Sequence, residues 1–425
     1  MMNMKYENYK DSGIEWIGEI PCHWEVIPFK YHAELFTGNS IKDDEKALYE
    51  DDTDAVPYIA TKDINVDYNT IDYKNGMYVK NYDKSFARAP KESTLMCIEG
   101  GSAGKKMAFT DQEVAFVNKL CCFTTKNDKK LWNKFLYLFL QSKQFGSEFS
   151  SHLSGLIGGV SISELKNLSL ILPPLHEQQA IAAYLDAKCG KVDALVAALE
   201  QQAADLGDLK KSEISRVVTK GLQPNATLKN SGIEWIGEIP CHWEIVPFKR
   251  LHSGTNVGEG IDKQYWTDNV NDMYFYTAGI NPIHTCYPNF PSDKLTKTED
   301  LLLARNGTPY VYLPFINAAY TDHVIRVSIS PKMDKKFVRH ALTLSINNEE
   351  VYSVSLATWS ASIWNAQKLP IPPLSEQQAI ADYLDAYCAK VDAAVAEIKA
   401  QIADLKSYKQ SLISEAVTGK ICVTE

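Results

Sequence analysis

The chain has 425 residues, 45% of them hydrophobic and 23% charged, with a formal net charge of −9, a pI near 5.6 and a mean hydropathy of −0.24. That length accommodates two or more domains with their own cores, and the absence of any apolar run of eighteen residues excludes a helical membrane span. The acidic balance counts against a nucleic-acid binder acting alone, because phosphate contact ordinarily leaves a basic footprint; local basic loops, or a partner that supplies positive charge, stay open.

The opening MMNMKYENYKDSG lacks the apolar core of a signal peptide, so the expected location is the cytoplasm. Residues 11–30, DSGIEWIGEIPCHWEVIPFK, return at 230–249 as NSGIEWIGEIPCHWEIVPFK, identical at 17 of 20 positions. With two tryptophans, several isoleucines and prolines, this leading motif reads as a packed strand-and-turn anchor. Trp16, Trp24, Trp235 and Trp243 are read as burying area rather than stacking on bases. A first variable region follows, about 31–171. Its short runs VPYIA, GMYVK, STLMCI, KMAFT, EVAFV and LCCFT are rich in β-branched and aromatic residues, which predicts a small, mostly antiparallel sheet. One helix is expected near 131–144, and the acidic stretch 43–54 is expected to be an exposed loop.

Then comes a long helix, predicted over 173–221, with a second copy over 372–420. Residues 172–222 and 371–421 match without a gap at 30 of 51 positions. Prolines suit a first turn, Ser375 with Gln378 fits a capping box, and Gly221 and Gly419 fit left-handed ends. Gly207 is a local defect in the first copy, costing up to about 1 kcal/mol of helix propensity. Apolar residues recur every seven: Leu185, Val192, Leu199 and Leu206, then Leu384, Val391, Ile398, Leu405 and Leu412. Leu195, Leu209, Ala394 and Tyr408 are assigned to the other seam position. Such a stripe calls for a partner helix, and two matched copies favour mutual pairing. Between the copies lies a second variable region, about 250–369, with runs MYFYTAGI, DLLLARNGTPYVYL and AAYTDHVIRVSI and a helix near 336–347. The chain is therefore a tandem repeat of leading motif, variable domain and long helix. The first variable domain is longer by 20 residues, the difference between the two repeat offsets of 219 and 199.

Several chemical motifs fail. Gly100-Gly101-Ser102-Ala103-Gly104-Lys105-Lys106 is one residue short of a phosphate-binding loop and has lysine where a magnesium-binding hydroxyl belongs. His176-Glu177-Gln178-Gln179-Ala180 lacks the second histidine of a zinc protease. No nucleotide or S-adenosylmethionine fingerprint, amino-methyltransferase motif or nuclease carboxylate cluster is present. Nine cysteines without a CxxC read as free thiols. The repeated pairs Cys22-His23 and Cys241-His242 could together ligate a metal, but adjacent ligands are poorly spaced for it. What remains is a turn after an apolar strand in each half: Gly100–Lys106, and Arg305-Asn306-Gly307-Thr308-Pro309-Tyr310. Arginine and asparagine can make paired hydrogen bonds to guanine and adenine edges, although any one of these residues is also compatible with a solvated hairpin.

The duplicated SGIEWIGEIP-x-HWE motif, the PPL-x-EQQAIA-x-YLD helix starts and the LLLARNG turn resemble the specificity subunit of type I restriction–modification enzymes, over essentially the whole chain. The resemblance implies an α+β fold: two mixed, mainly β target recognition domains separated by two long antiparallel coiled-coil helices, with a pseudo-twofold internal repeat. It implies segments 1–171 and 222–370 as recognition domains and 172–221 and 371–425 as spacer helices. Each domain would read one half of a split target in double-stranded DNA. The partners implied are two methyltransferase subunits, which methylate adenine at N6, and up to two restriction (translocase) subunits, with no membrane. No cofactor is expected in this chain; S-adenosylmethionine, ATP and Mg are expected in the partners. The candidate DNA contacts are Lys62, Ser102, Lys105 and Lys106 in the first half, and Arg305, Asn306 and Thr308 in the second. A competing reading is a non-catalytic coiled-coil scaffold, or an adaptor whose β domains bind protein or glycan, supported by the acidic charge. A stand-alone enzyme is disfavoured by the failed motifs.

Overall fold

In a computed structural model of the chain, residues 5–126, 129–154, 158–348 and 358–423 are described. The signal-peptide reading of the opening residues falls partly outside them, on residues 1–4. Two compact units emerge: unit 1 comprises Met1–Glu200 with Ala400–Glu425, and unit 2 comprises Gln201–Lys399. The long helices span Leu175–Lys220 and Leu374–Val417, so both unit boundaries cut through them. Each unit owns the start of one long helix and the end of the other.

Unit 1 contains a four-stranded sheet in the order Ala33–Thr37, Leu120–Thr125, Thr94–Cys97, Met107–Phe109, all antiparallel. Unit 2 repeats it as His252–Val257, Val324–Ile329, Asp300–Ala304, Val311–Tyr312. The two inner strands of each sheet are buried along nearly their whole length because both of their faces are covered, whereas the edge strand His252–Val257 is polar and exposed. Alternation along the chain sends Cys121 and Phe123 into one core and Leu120 and Cys122 into another. In unit 2, Leu301 and Leu303 go one way and Leu302 and Ala304 the other. On one face lie helices; on the other lies a second sheet. Among the described residues, that second sheet holds the single parallel pairing of each unit, Ala55–Ile59 beside Val114–Phe116 and Met273–Tyr276 beside Ala319–Tyr320.

The helical layer of unit 1 differs from expectation. Two helices, Asn133–Leu140 and Lys143–Ser151, occupy the region where one was expected. Ser142 stops the first and caps the second, its hydroxyl accepting from the Phe145 amide at 3.2 Å. The acidic stretch is exposed but not irregular: Asp43–Tyr49 is a 3-10 helix. Unit 2 has one helix here, Lys335–Asn347, capped by Asp334.

The capping box at the second long helix does not form. That helix begins at Leu374, ahead of Ser375, and the Pro373 carbonyl accepts from the Glu376 and Gln377 amides. Pro174 does the same for Glu177 and Gln178. A proline carbonyl can start a helix although its nitrogen cannot continue one.

Within each unit the long helices run antiparallel. Lys409 binds Asp193 at 2.7 Å and Lys406 reaches Glu200 at 3.7 Å in unit 1; Lys210 binds Asp392 at 2.6 Å and the Tyr383 hydroxyl donates to Glu213 at 2.7 Å in unit 2. Partner numbers rise on one helix as they fall on the other. Leu185, Val192, Leu384, Val391, Ile398 and Leu412 are buried, and Leu199, Leu206 and Leu405 are half-buried. The second seam position needs correction: Leu195, Leu209 and Tyr408 are 49%, 59% and 54% exposed, whereas Cys189 and Val196 are buried. A heptad steps by three and four in turn. Stepping three first from Val192 gives Leu195, stepping four gives Val196, and both are apolar, so composition alone does not choose.

Candidate nucleic-acid interface

The duplicated residues turn inward. Trp24 and Trp243 are completely buried. The Trp24 indole N–H donates to Glu177 Oε2 at 3.0 Å, His23 Nε2 lies 2.6 Å from Glu177 Oε1, and the Tyr6 hydroxyl donates to Oε2 at 2.8 Å. In unit 2, Trp243 donates to Glu376 Oε2 at 3.0 Å and His242 Nε2 lies 2.8 Å from Oε1. The next residue completes the grip. The Gln178 side chain accepts from the Trp132 amide at 2.9 Å and donates to the carbonyls of Lys130 and Pro173; Gln377 accepts from the Asp334 amide at 2.9 Å and donates to the Pro372 carbonyl. The same tryptophans meet the other helix where it ends. Gly419 and Gly221 have φ of +71° and +72°, and a Cβ there would stand 3.1 Å from Trp24 and 3.0 Å from Trp243. The His-Trp pair and the Glu-Gln pair therefore form a clasp between domain and helices. The two histidines hold carboxylates, and among the described residues no group of side chains is arranged to hold a metal ion.

The turns that differ between halves sit at the end of the central strand. In unit 2, Asp300–Ala304 is followed by exposed Arg305, half-buried Asn306, and exposed Gly307 and Thr308. Two tryptophans brace this turn: Trp359 donates its indole N–H to the Gly307 carbonyl at 2.8 Å, and Trp364 donates to the Ala304 carbonyl at 3.1 Å. The Arg305 guanidinium has a long contact to the Asp322 carbonyl, 3.5 Å, and the Asn306 amide nitrogen lies 2.6 Å from His323 Nδ1. Hydrogen bonding from the Thr321 hydroxyl, helped by the charges of His323 and Arg305, holds the Asp322 carboxyl below its usual range.

The two turns share a backbone frame but not the register expected for them. The Trp359 amide donates to the Arg305 carbonyl, and Asn306 bridges Thr358; the Val160 amide donates to the Ile98 carbonyl, and Glu99 bridges Gly159. Gly100 and Gly307 then follow with φ of +81° and +76°. Ser161 and Ser360 next cap short helices, Ile162–Leu165 and Ala361–Ala366. So Arg305 corresponds to Ile98, which is buried, and Asn306 to Glu99, not to the lysines of the first turn. Most amides of that turn are also engaged: Gly100 donates to Gly158, Ala103 to Gly100, Gly104 to Cys97, and Lys105 and Lys106 to Ser102. A phosphate cradle needs those N–H groups free.

Of the remaining sequence candidates, Ser102 is half-buried and serves as the acceptor within its turn. Lys105 is exposed, its ammonium folded toward the Gly101 carbonyl at 3.3 Å. Lys106 donates to the Thr61 carbonyl at 2.9 Å, which brings it beside Lys62 at one cleft. Sequence reasoning missed the hairpin that forms the rest of that cleft, Ile64–Asn65 with Thr70–Ile71. Its strands are two residues long, below what a period-two pattern can signal; the acid-turn sequence NVDYNT was the available sign.

Comparison with known proteins places this geometry. A family model described as the type I restriction modification DNA specificity domain matches residues 21–202 and 258–404. The MjaVIII specificity subunit of a type I restriction enzyme from Methanocaldococcus jannaschii is 24% identical over 455 aligned positions, covering 100% of this chain and 98% of that protein. The EcoBI specificity subunit from Escherichia coli is 37% identical over 158 positions, 36% of this chain and 31% of that protein. A solved chain from a study of complex assembly and conformational transition of the type I R-M system aligns with a TM-score of 0.70 at 15% identity, over 95% of this chain and 99% of that one. That last likeness is one of fold.

Proposed function

The chain belongs to the type I restriction–modification DNA specificity family, and from that premise we propose that unit 1 reads one half of a bipartite DNA target and unit 2 the other. As a specificity subunit it carries two target recognition domains. One observation carries the division of labour: the two domains share a strand order and a clasp, yet the turns at the end of their central strands have different side chains in the same frame. Phosphate contacts position a protein on DNA and base contacts choose the sequence. With a net charge of −9, this chain leaves much of the phosphate contact to its partners.

Those partners are two methyltransferase subunits, which bind S-adenosylmethionine and methylate adenine, and up to two restriction subunits, which bind ATP and Mg. Catalysis resides in them, in the cytoplasm. The long helices set the number of unread base pairs between the half-sites. The first, at 46 residues, is about 70 Å long at roughly 1.5 Å per residue.

Mapping methylated adenines in cells that carry this chain and its methyltransferase tests the reading directly. The expected result is one split motif with a fixed gap; methylation without a sequence motif would end the proposal. Removing one matched heptad from each long helix should shorten the gap by about three base pairs, since seven residues rise about 10.5 Å. An unchanged gap would remove the helices as spacers. Arg305→Ala should relax bases in one half-site only, and equal loss in both would mean a defect in folding.

A further inference from the structure

The two units place their insertions differently. Eighteen residues, 60–77, join Ala55–Ile59 to Tyr78–Lys80, whereas six, 277–282, join the corresponding Met273–Tyr276 and Ile283–Thr285. The correspondence rests on pairing: each first strand runs antiparallel to the second and parallel to a third. The extra residues of unit 1 form the 3-10 turn Thr61–Asp63 and the hairpin behind it.

This hairpin is held firmly. The buried Asp63 carboxylate accepts from the Ala60 amide at 2.8 Å and from Asn75 Nδ2 at 2.7 Å. At the tip, Asn65 Oδ1 accepts from the Asp67 and Tyr68 amides. Tyr68 donates to Glu200 of the long helix at 2.6 Å, and Asn69 donates to Gln141 at 3.2 Å. The carboxylate of Glu200 holds the Tyr68 phenol above its usual range. A loop tied at base and tip presents a fixed face, which base recognition requires.

That face is a polar cleft of about 500 Å³, lined by Lys62, Asn65, Asp67, Thr70, Asp72 and Lys106. Neither the Lys62 ammonium nor the Asp67 carboxylate has a hydrogen-bond or ion-pair partner among the described residues. We propose that this hairpin cleft, rather than the Gly100–Lys106 turn, is the base-reading element of unit 1. Asp67 accepts from an exocyclic amino group of cytosine or adenine, and Lys62 donates to the acceptor edge of guanine. The proposal rests on the DNA-reading role of the chain and deepens it for this unit. Two observations converge on it. The position of Arg305 is taken in unit 1 by buried Ile98, so the turn has no equivalent reader. And an unpaired carboxylate beside lysines is repelled by phosphate, which makes Asp67 unfavourable for general DNA affinity but selective where an amino group meets it.

The test uses the full chain in complex with its methyltransferase, with methylated targets read from a randomised duplex pool. Asp67→Asn is isosteric and Lys62→Gln a shortening to a neutral polar group, both at exposed side chains, so folding should persist, checked by an unchanged melting temperature. Each is expected to lower discrimination about tenfold to hundredfold at a base of one half-site, while the other half-site and the gap stay as in the parent. Arg305→Gln is expected to act on the opposite half-site. If both hairpin variants methylate the parental target unchanged while Arg305→Gln relaxes its half-site, the hairpin assignment is overturned and the broader reading survives. If the parent complex enriches no sequence, both fall together.

Discussion

His23, Trp24 and Glu177 in unit 1 make the same set of contacts as His242, Trp243 and Glu376 in unit 2. The turns after Thr94–Cys97 and Asp300–Ala304 open with the same bridge and the same left-handed glycine, then differ in length and share almost no side chains. The contrast explains why the repeats lie where they do. A residue that binds the chain to itself answers to a partner within the chain, and a duplicated partner keeps it fixed. A residue that faces a ligand answers to the ligand, and two half-sites need not agree. Identity between halves thus marks the scaffold, and divergence marks the reading surface.

The largest effect should come from breaking a clasp. Trp24→Ala and Trp243→Ala each remove a completely buried indole and leave a carboxylate short of one donor, at a cost of about 3–5 kcal/mol. Hydrogen exchange followed peptide by peptide should show the loss in the unit that carries the substitution. Equal loosening of both units from one substitution would refute the view that each clasp serves its own unit. The carboxylates sharpen the comparison. Glu177 is buried with three partners; Glu376 is partly exposed with two. Glu177→Ala should therefore be the more damaging of the two.

This comparison also separates what was legible in the sequence from what was not. The long helices could be placed because 46 and 44 residues of pattern, with prolines before and glycines after, leave little freedom. The strands around Leu95, Phe116 and Phe123 could be placed because both faces are buried. The function of His23 and Glu177 was not legible: they lie 154 positions apart, and only the fold joins them. The register of the two turns failed for a related reason. Lys105 and Arg305 are both basic residues in glycine-containing turns, but equivalence is decided by the isolated bridges to Gly159 and Thr358.

A smaller effect should distinguish the units by pH. His340 is buried in unit 2, and its pKa falls to about 4, chiefly through burial, with the charges of Arg339 and Lys210 acting the same way and Asp385 opposing. The Arg339 guanidinium donates to His340 Nε2 at 2.8 Å, which requires a lone pair on that nitrogen and hence a neutral ring. Because the folded pKa lies below the unfolded value near 6.5, the unfolded chain takes up the proton first. This contribution is complete above about pH 6.5 and is lost as pH falls toward 4, by about 2 kcal/mol at pH 5. Matching the capped helix starts, where Gln377 meets Asp334 and Gln178 meets Trp132, puts Leu138 of unit 1 at this place. Urea unfolding at pH 7.5 and pH 5 should destabilise unit 2 specifically, and His340→Gln should flatten the difference. A pH response unchanged by that substitution would locate its origin elsewhere.

The smallest effect tests the register of the turns. Gly100 and Gly307 both have positive φ, and a Cβ at either would meet nothing within 4 Å. Alanine at each should therefore cost only the left-handed conformation, about 1 kcal/mol. If Ile98 and Arg305 are truly equivalent, the two costs should agree within the error of a denaturation midpoint. A marked inequality would mean that one turn is held by something the other lacks. The alignment that sets Glu99 opposite Asn306 would then fail, and with it the reason for looking beyond the first turn for the bases that unit 1 reads.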